Sequence, residues 1–191
     1  MLVTNIHDVT KAERTRAALL RAALELFDQR GYDATTAAMI AERAGVTEMT
    51  FFRYFPSKDS VLVDDPYDPL IAEAITRQPA HVPPIAAAIG AIAEGWRAIP
   101  PPSSEQVRDR LRIVSRTPSL RGAIARNNAT TESAIAGALV TRGASASDAR
   151  IAAAATMAAL TAALLEWADG DDPDLGTAID AALRVLAGDA R

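Results

Sequence analysis

Between Thr47 and Lys58 the chain carries side chains suited to gripping a polyanion rather than to breaking bonds. Arg53 can neutralise a phosphate or pair through two hydrogen bonds with guanine, and Glu48 can accept from a cytosine amino group. Thr50 can bond a phosphate or touch a thymine methyl, while Thr47, Tyr54 and Lys58 offer a hydroxyl, a phenol and an ammonium. Just upstream, Thr35 or Thr36 places a hydroxyl where it can bond a phosphate oxygen. Met49 and Phe52 add apolar surface to the same stretch. Each has a plainer alternative: helix capping for the threonines, ordinary packing for Phe52, a solvated surface charge for Lys58.

Nothing in the chain points to covalent or metal chemistry. The two histidines, His7 and His81, fall in a tail and a loop, and no nucleophile motif, metal-ligand spacing or glycine-rich phosphate loop accompanies them. No catalytic residue, metal or cofactor is therefore expected, and a helical enzyme is the least favoured reading. The absence of cysteine fits a reducing compartment, and no secretory signal is apparent at the N-terminus. Ile151 to Leu165 is the longest apolar run and reads as too short to span a bilayer, so a cytoplasmic protein with no membrane partner is expected.

The residues that could meet a nucleic acid need short, well-stopped helices to aim them. Ile40 and Ala44 lie on an apolar stripe at helical spacing, predicting a helix over about Thr36 to Ala44. Gly45 ends it, Thr47 can cap the next, and Glu48 suits the positive end of that helix. The second helix, about Glu48 to Tyr54, stops at Pro56 and Ser57. Two short helices joined by a glycine turn form a helix-turn-helix, whose second helix can enter the major groove of DNA. Phe51 and Phe55, four apart, should face inward. Before them, Leu19, Ala23, Leu26 and Phe27 predict a helix from Lys11 to Arg30, ended by Gly31; residues 1–10 read as a mobile arm.

Net charge is −4, yet residues 1–60 balance eight Lys+Arg against eight Asp+Glu, leaving the acidity to the remainder. Binding to phosphates would rest on a few placed cations and on helix N-termini.

Residues 16–62, RAALLRAALELFDQRGYDATTAAMIAERAGVTEMTFFRYFPSKDSVL, closely resemble the DNA-binding domain of the tetracycline-repressor (TetR) family. The resemblance runs without gaps over about a quarter of the chain. It implies an all-α, homodimeric, ligand-responsive transcription factor that binds a double-stranded operator. It also implies that Tyr32 packs under the turn and that Lys58, in the first turn of a fourth helix opened by Ser57, contacts the DNA backbone. Three positions depart from the family: Met39 stands where a polar or acidic residue is frequent, Met49 for a small residue, and Phe52 for tyrosine.

Residues 11–63 are thus expected to form the helix-turn-helix domain and 64–191 a helical ligand-binding and dimerisation domain, about nine helices in all. Pro66 and Pro69 break the pattern between them and predict a kinked lever. Helices follow over about Pro69–Arg77, Pro84–Ala98, Ser104–Ser115, Pro118–Arg142, Ser147–Asp169 and Asp174–Ala187. Ile92, Trp96, Leu111, Arg112 and Ile124 are candidates to line a pocket for an unidentified small-molecule effector, with a core role for Trp96 equally open. Arg108, Arg112 and Arg116, four apart, either hold an anionic head group or pair on the surface with Glu105 and Asp109, the surface reading being preferred. Residues 110–139 resemble the C-terminal part of TetR-type regulators of acyl-CoA-like ligands. The helix through Ile151, Ala154, Ala158, Leu160, Leu164 and Trp167 is apolar on nearly every side, which calls for a second subunit against it. A palindromic operator released on effector binding follows; control by a protein partner is the alternative.

Overall fold

The computed structural model describes residues 10–64, 68–98 and 104–189. Among them every regular element is helical, as expected, and the chain divides after Leu62 into two compact units. The expected arm at residues 1–9, the break at 65–67 and the proline run at 99–103 lie outside the described residues.

In the first unit α1 spans Lys11–Arg30. Thr10 caps it reciprocally with Glu13: the threonine hydroxyl accepts from the Glu13 amide at 3.2 Å, and the Glu13 carboxylate accepts from the Thr10 amide at 2.7 Å. Gly31, at φ 80°, ends the helix by donating to Phe27 O. The buried face is Leu19, Ala22, Ala23, Leu26 and Phe27. Helix α2 is Ala37–Arg43, capped by Thr36, and α3 is Glu48–Tyr54, capped by Thr47. Between them Gly45 takes φ 72°, the left-handed value that lets Val46 N–H reach back to Ala41 O at 2.9 Å. Phe51 and Phe55 are both fully buried, their ring centroids 5.7 Å apart.

Helix α4, Ser60–Val63, starts later than expected. Ser57 and Ser60 exchange hydrogen bonds across a turn, the Ser60 amide donating to Ser57 Oγ at 3.2 Å and the Ser57 amide to Ser60 Oγ at 3.3 Å. Lys58 therefore sits in the turn before the helix, not in its first turn.

The second unit contains α5 (Asp68–Arg77), α6 (Pro84–Ala98), α7 (Ser104–Arg116), a short 3₁₀ turn (Pro118–Leu120), α8 (Arg121–Thr141), α9 (Ala146–Asp169) and α10 (Leu175–Leu186). Pro118 makes the 3₁₀ turn, so α8 begins three residues later than the sequence suggests. The interior forms two apolar clusters. One gathers Ile75, Ala87, Ala91, Ile135, Leu139 and Ala152 from α5, α6, α8 and the first half of α9. The other gathers Ile92, Trp167, Leu175, Ile179 and Leu183 from the end of α6, the end of α9 and α10. Helix α9 packs against α6, α7, α8 and α10.

Two expectations change here. At 24 residues α9 is long and apolar enough, by length and composition, to cross a membrane, so the length argument against a span fails. The same alanine-rich composition lets four neighbouring helices approach it closely. Trp167, expected on the face between subunits, is buried in its own subunit's second cluster.

Arg142, at the end of α8, donates to Pro79 O at 2.5 Å and Val82 O at 2.6 Å, fastening the loop between α5 and α6. Replacing it (Arg142→Met) removes two charge-assisted bonds and should lower the unfolding free energy by about 2 kcal/mol. Urea denaturation of the purified chain would show this as a lower midpoint, and an unchanged midpoint would mean the loop is held by its apolar contacts alone.

Candidate nucleic-acid interface

Helix α3 presents one face to the interior and another to solvent. Phe51 is the inward anchor, and Met49, Phe52 and Arg53, at i, i+3 and i+4 relative to one another, stay exposed. Met49 is 83% exposed and Phe52 48%. Glu48 and Arg53 are also exposed, while Thr50 and Tyr54 are half-buried. The Arg53 guanidinium carbon lies 5.3 Å from the centre of the Tyr54 ring. Thr47 accepts the Thr50 amide at 3.2 Å, and the two hydroxyls are 3.0 Å apart.

The two threonines before α2 separate in role. Thr36 is exposed and caps the helix, accepting from the Met39 amide at 3.2 Å. Thr35 is buried, its hydroxyl donating to Gly31 O at 2.9 Å. That geometry removes the Thr35 side chain from the candidate DNA contacts, because its only hydroxyl is sealed against the end of α1.

Lys58 is engaged inside the unit. Its ammonium donates to Tyr32 O and to Thr35 O, both at 2.8 Å, and lies 3.9 Å from the centre of the Tyr32 ring. Tyr32 is buried beneath the turn, its ring 5.2 Å from that of Phe27, and its hydroxyl donates to Asp59 Oδ1. Burial, then the hydrogen bond and negative charge of Asp59, then the charge of Asp33, push the phenol well above the ordinary tyrosine range. It stays a neutral donor at any physiological pH. Lys58, Tyr32 and Asp59 thus tie the turn before α4 to the segment joining α1 and α2. Asp59 escaped the sequence reading because no spacing rule links it to Tyr32, 27 residues earlier.

In the second unit the candidates for the effector part company. Ile92 is buried in the second cluster, with Trp96 and Leu111 packed against it beside Val107, Leu160 and Leu164. Trp96 lies against Gly176, where an added Cβ would stand 3.3 Å from the indole nitrogen. Ile124, half-buried on α8, is not part of that cluster. Arg112 donates Nε–H to Ala168 O at 2.8 Å, and Arg108 donates to Asp172 O while its guanidinium carbon lies 4.3 Å from the centre of the Trp167 ring. Both serve carbonyls at and just beyond the C-terminal end of α9, where helix polarity favours a cation. These bonds to backbone carbonyls differ from the expected pairing with Glu105 and Asp109. Among the described residues no cluster of His, Asp or Glu suits a metal ion.

Of the residues expected between subunits, Ile151, Ala154 and Ala158 are exposed along one stripe of α9, with Ile151 65% exposed. Leu160 and Leu164 are half-buried against the second cluster.

Comparison with known proteins shows the family and the fold. The model for bacterial regulatory proteins of the tetR family matches residues 19–64, and that for the MftR C-terminal domain matches residues 82–190. The chain belongs to the TetR family of bacterial transcriptional regulators. It is similar to the HTH-type transcriptional regulator TcmR of Streptomyces glaucescens, 38% identical over 117 residues, which are 58% of this chain and 52% of TcmR. It is also similar to the HTH-type transcriptional regulator RutR of Escherichia coli (strain K12), 40% identical over 60 residues, 28% of each chain. The matches span about half the length of these curated relatives, or less. Among solved structures, NalD, the secondary repressor of the MexAB-OprM multidrug efflux pump in Pseudomonas aeruginosa, superposes with a TM-score of 0.57 at 25% identity, covering 93% of this chain and 97% of its own. SmeT, the repressor of the Stenotrophomonas maltophilia multidrug efflux pump SmeDEF, gives 0.56 at 23%, covering 93% and 92%, and supports the fold alone.

Replacing Lys58 with methionine keeps most of the stem but deletes both bonds to carbonyls. The unfolding free energy should fall by about 2–3 kcal/mol, since each such bond involves a charged donor. Urea titration followed by helical circular dichroism measures it; a wild-type midpoint would show that the clamp is not formed in solution.

Proposed function

We propose that this chain is a ligand-responsive DNA-binding regulator, a repressor that acts as a homodimer on a palindromic operator. The observation that carries this reading is the outward face of α3: Met49, Phe52 and Arg53 stand exposed on a helix whose opposite side is locked by Phe51. Thr36, Thr47, Glu48, Thr50 and Tyr54 flank that face and supply contacts to phosphates or base edges. Lys58, half-buried in the turn before α4, is a further candidate for a phosphate contact. With so few cations on the face, affinity depends steeply on the geometry of each and on salt.

Dimerisation follows from the stripe Ile151, Ala154 and Ala158, where small side chains permit two helices to approach closely. One seven-residue helix reads few bases, and two related by a two-fold axis read half-sites about 34–36 Å apart, or a multiple of it. Residues up to Leu62 would bind DNA, and those beyond would bind the effector and the partner subunit. Such a regulator works where the chromosome is, in the bacterial cytoplasm.

The effector is an amphipathic molecule held among Ile92, Trp96, Leu111 and their neighbours. Its apolar part is supported by the composition of that cluster. Its polar part is supported by two buried donors that lack a hydrogen-bond partner, Trp167 Nε1 and Arg108 Nε. Arg108 and Arg112 each already donate to a carbonyl, so the reading taken here is an uncharged oxygen acceptor rather than an anionic head group held by several guanidiniums. Its release of the operator requires only unequal affinity for the two states of the dimer.

Selection of bound sequences from random duplex DNA with the full chain, at stated salt, tests the reading. A palindrome should be recovered, and Arg53→Ala should weaken binding to it by about 1–3 kcal/mol while relaxing the preference at one position of each half-site. Failure to retain any duplex would overturn the reading. In parallel, Ala154→Arg should yield folded monomers by sedimentation velocity and lose operator binding. A variant that remains dimeric would move the seam elsewhere.

A further inference from the structure

The reading just proposed lays α3 in a major groove, and the chemistry of its outward face says what it reads there. Two of the three residues on that face, Met49 and Phe52, are large and apolar, and they stand exposed side by side on one helix. The ring of Phe52 is also oriented. It meets the buried ring of Phe51 edge to face, with centroids 5.3 Å apart and planes at 89°. Phe51 is fully buried, and its ring supports the Phe52 ring from the inner side.

In the major groove, adenine, guanine and cytosine present hydrogen-bond donors and acceptors. Thymine adds to its acceptor oxygen a methyl group, the apolar feature available there. An apolar side chain pressed on a donor or acceptor strips it of water and returns no hydrogen bond, which is unfavourable. Against a methyl the same side chain removes apolar surface from water on both partners. We infer that Met49 and Phe52 determine specificity by selecting thymine methyls within each half-site, with Arg53 setting the register beside them. This inference rests on the function proposed above and names the base chemistry that the same face takes.

The test uses the selected operator and a chemical change in the DNA, so it does not depend on how well any variant folds. Each thymine in the half-site is replaced in turn by uracil, which lacks only the 5-methyl group, and dissociation constants of the full chain are measured by fluorescence anisotropy at fixed salt. One or two thymines per half-site should each weaken binding about three- to fivefold on replacement, the transfer value of a methyl group. Met49→Ala and Phe52→Ala should each abolish that thymine-over-uracil ratio at one position. Arg53→Ala should lower affinity for both duplexes and leave the ratio intact. If the chain binds its operator but is indifferent to uracil at every position, or if both alanine variants keep the ratio, the inference fails while the function stands. If no duplex is retained at all, both fail together.

Discussion

A seven-residue helix cannot hold itself together in water. Isolated helices shorter than about 12–15 residues are marginal even with favourable sequences, and α2 and α3 are seven residues each. Their persistence therefore depends on burial, above all of Phe51 and Phe55, which lock α3 against the rest of its unit. The caps at Thr36 and Thr47 and the left-handed Gly45 decide where each helix starts and how the pair is angled. The outward face of α3 is available because the inward face is fully used.

A second theme is the use of cations as fasteners for backbone oxygen. Lys58 holds two carbonyls at the bend between α1 and α2, Arg112 and Arg108 hold carbonyls at and beyond the end of α9, and Arg142 holds the loop between α5 and α6. Each ties together segments distant along the chain. By contrast Arg43–Glu25 and Arg77–Glu73 are ion pairs between side chains largely open to water, where such pairs contribute little.

This contrast also explains what could be read beforehand. Helix α1, α3 and α6 fall where apolar spacing and stop residues place them, because a period of 3.6 and a Gly or Pro are visible one residue at a time. The family resemblance added the packing of Tyr32 under the turn. The partners of Lys58, Arg108 and Arg112 were not legible, since every residue carries a carbonyl and only the tertiary path decides which are within reach. Thr35 and Thr36 are alike in sequence, and the half turn that buries one and exposes the other depends on where α1 ends. Trp167 looked like bulk for a subunit seam because the apolar run before it has no polar side; its burial follows from α10 folding back over the end of α9.

Helix α7 differs from its neighbours in having no fully buried residue along its 13 residues. Val107 and Leu111 rest on the second cluster, and Arg108, Arg110 and Arg112 donate from α7 to backbone carbonyls. Local opening is easiest where little apolar area must be uncovered. By that measure α7 is the most lightly anchored of the helices around the second cluster, and its amides should exchange with solvent sooner than those of α9 and α10.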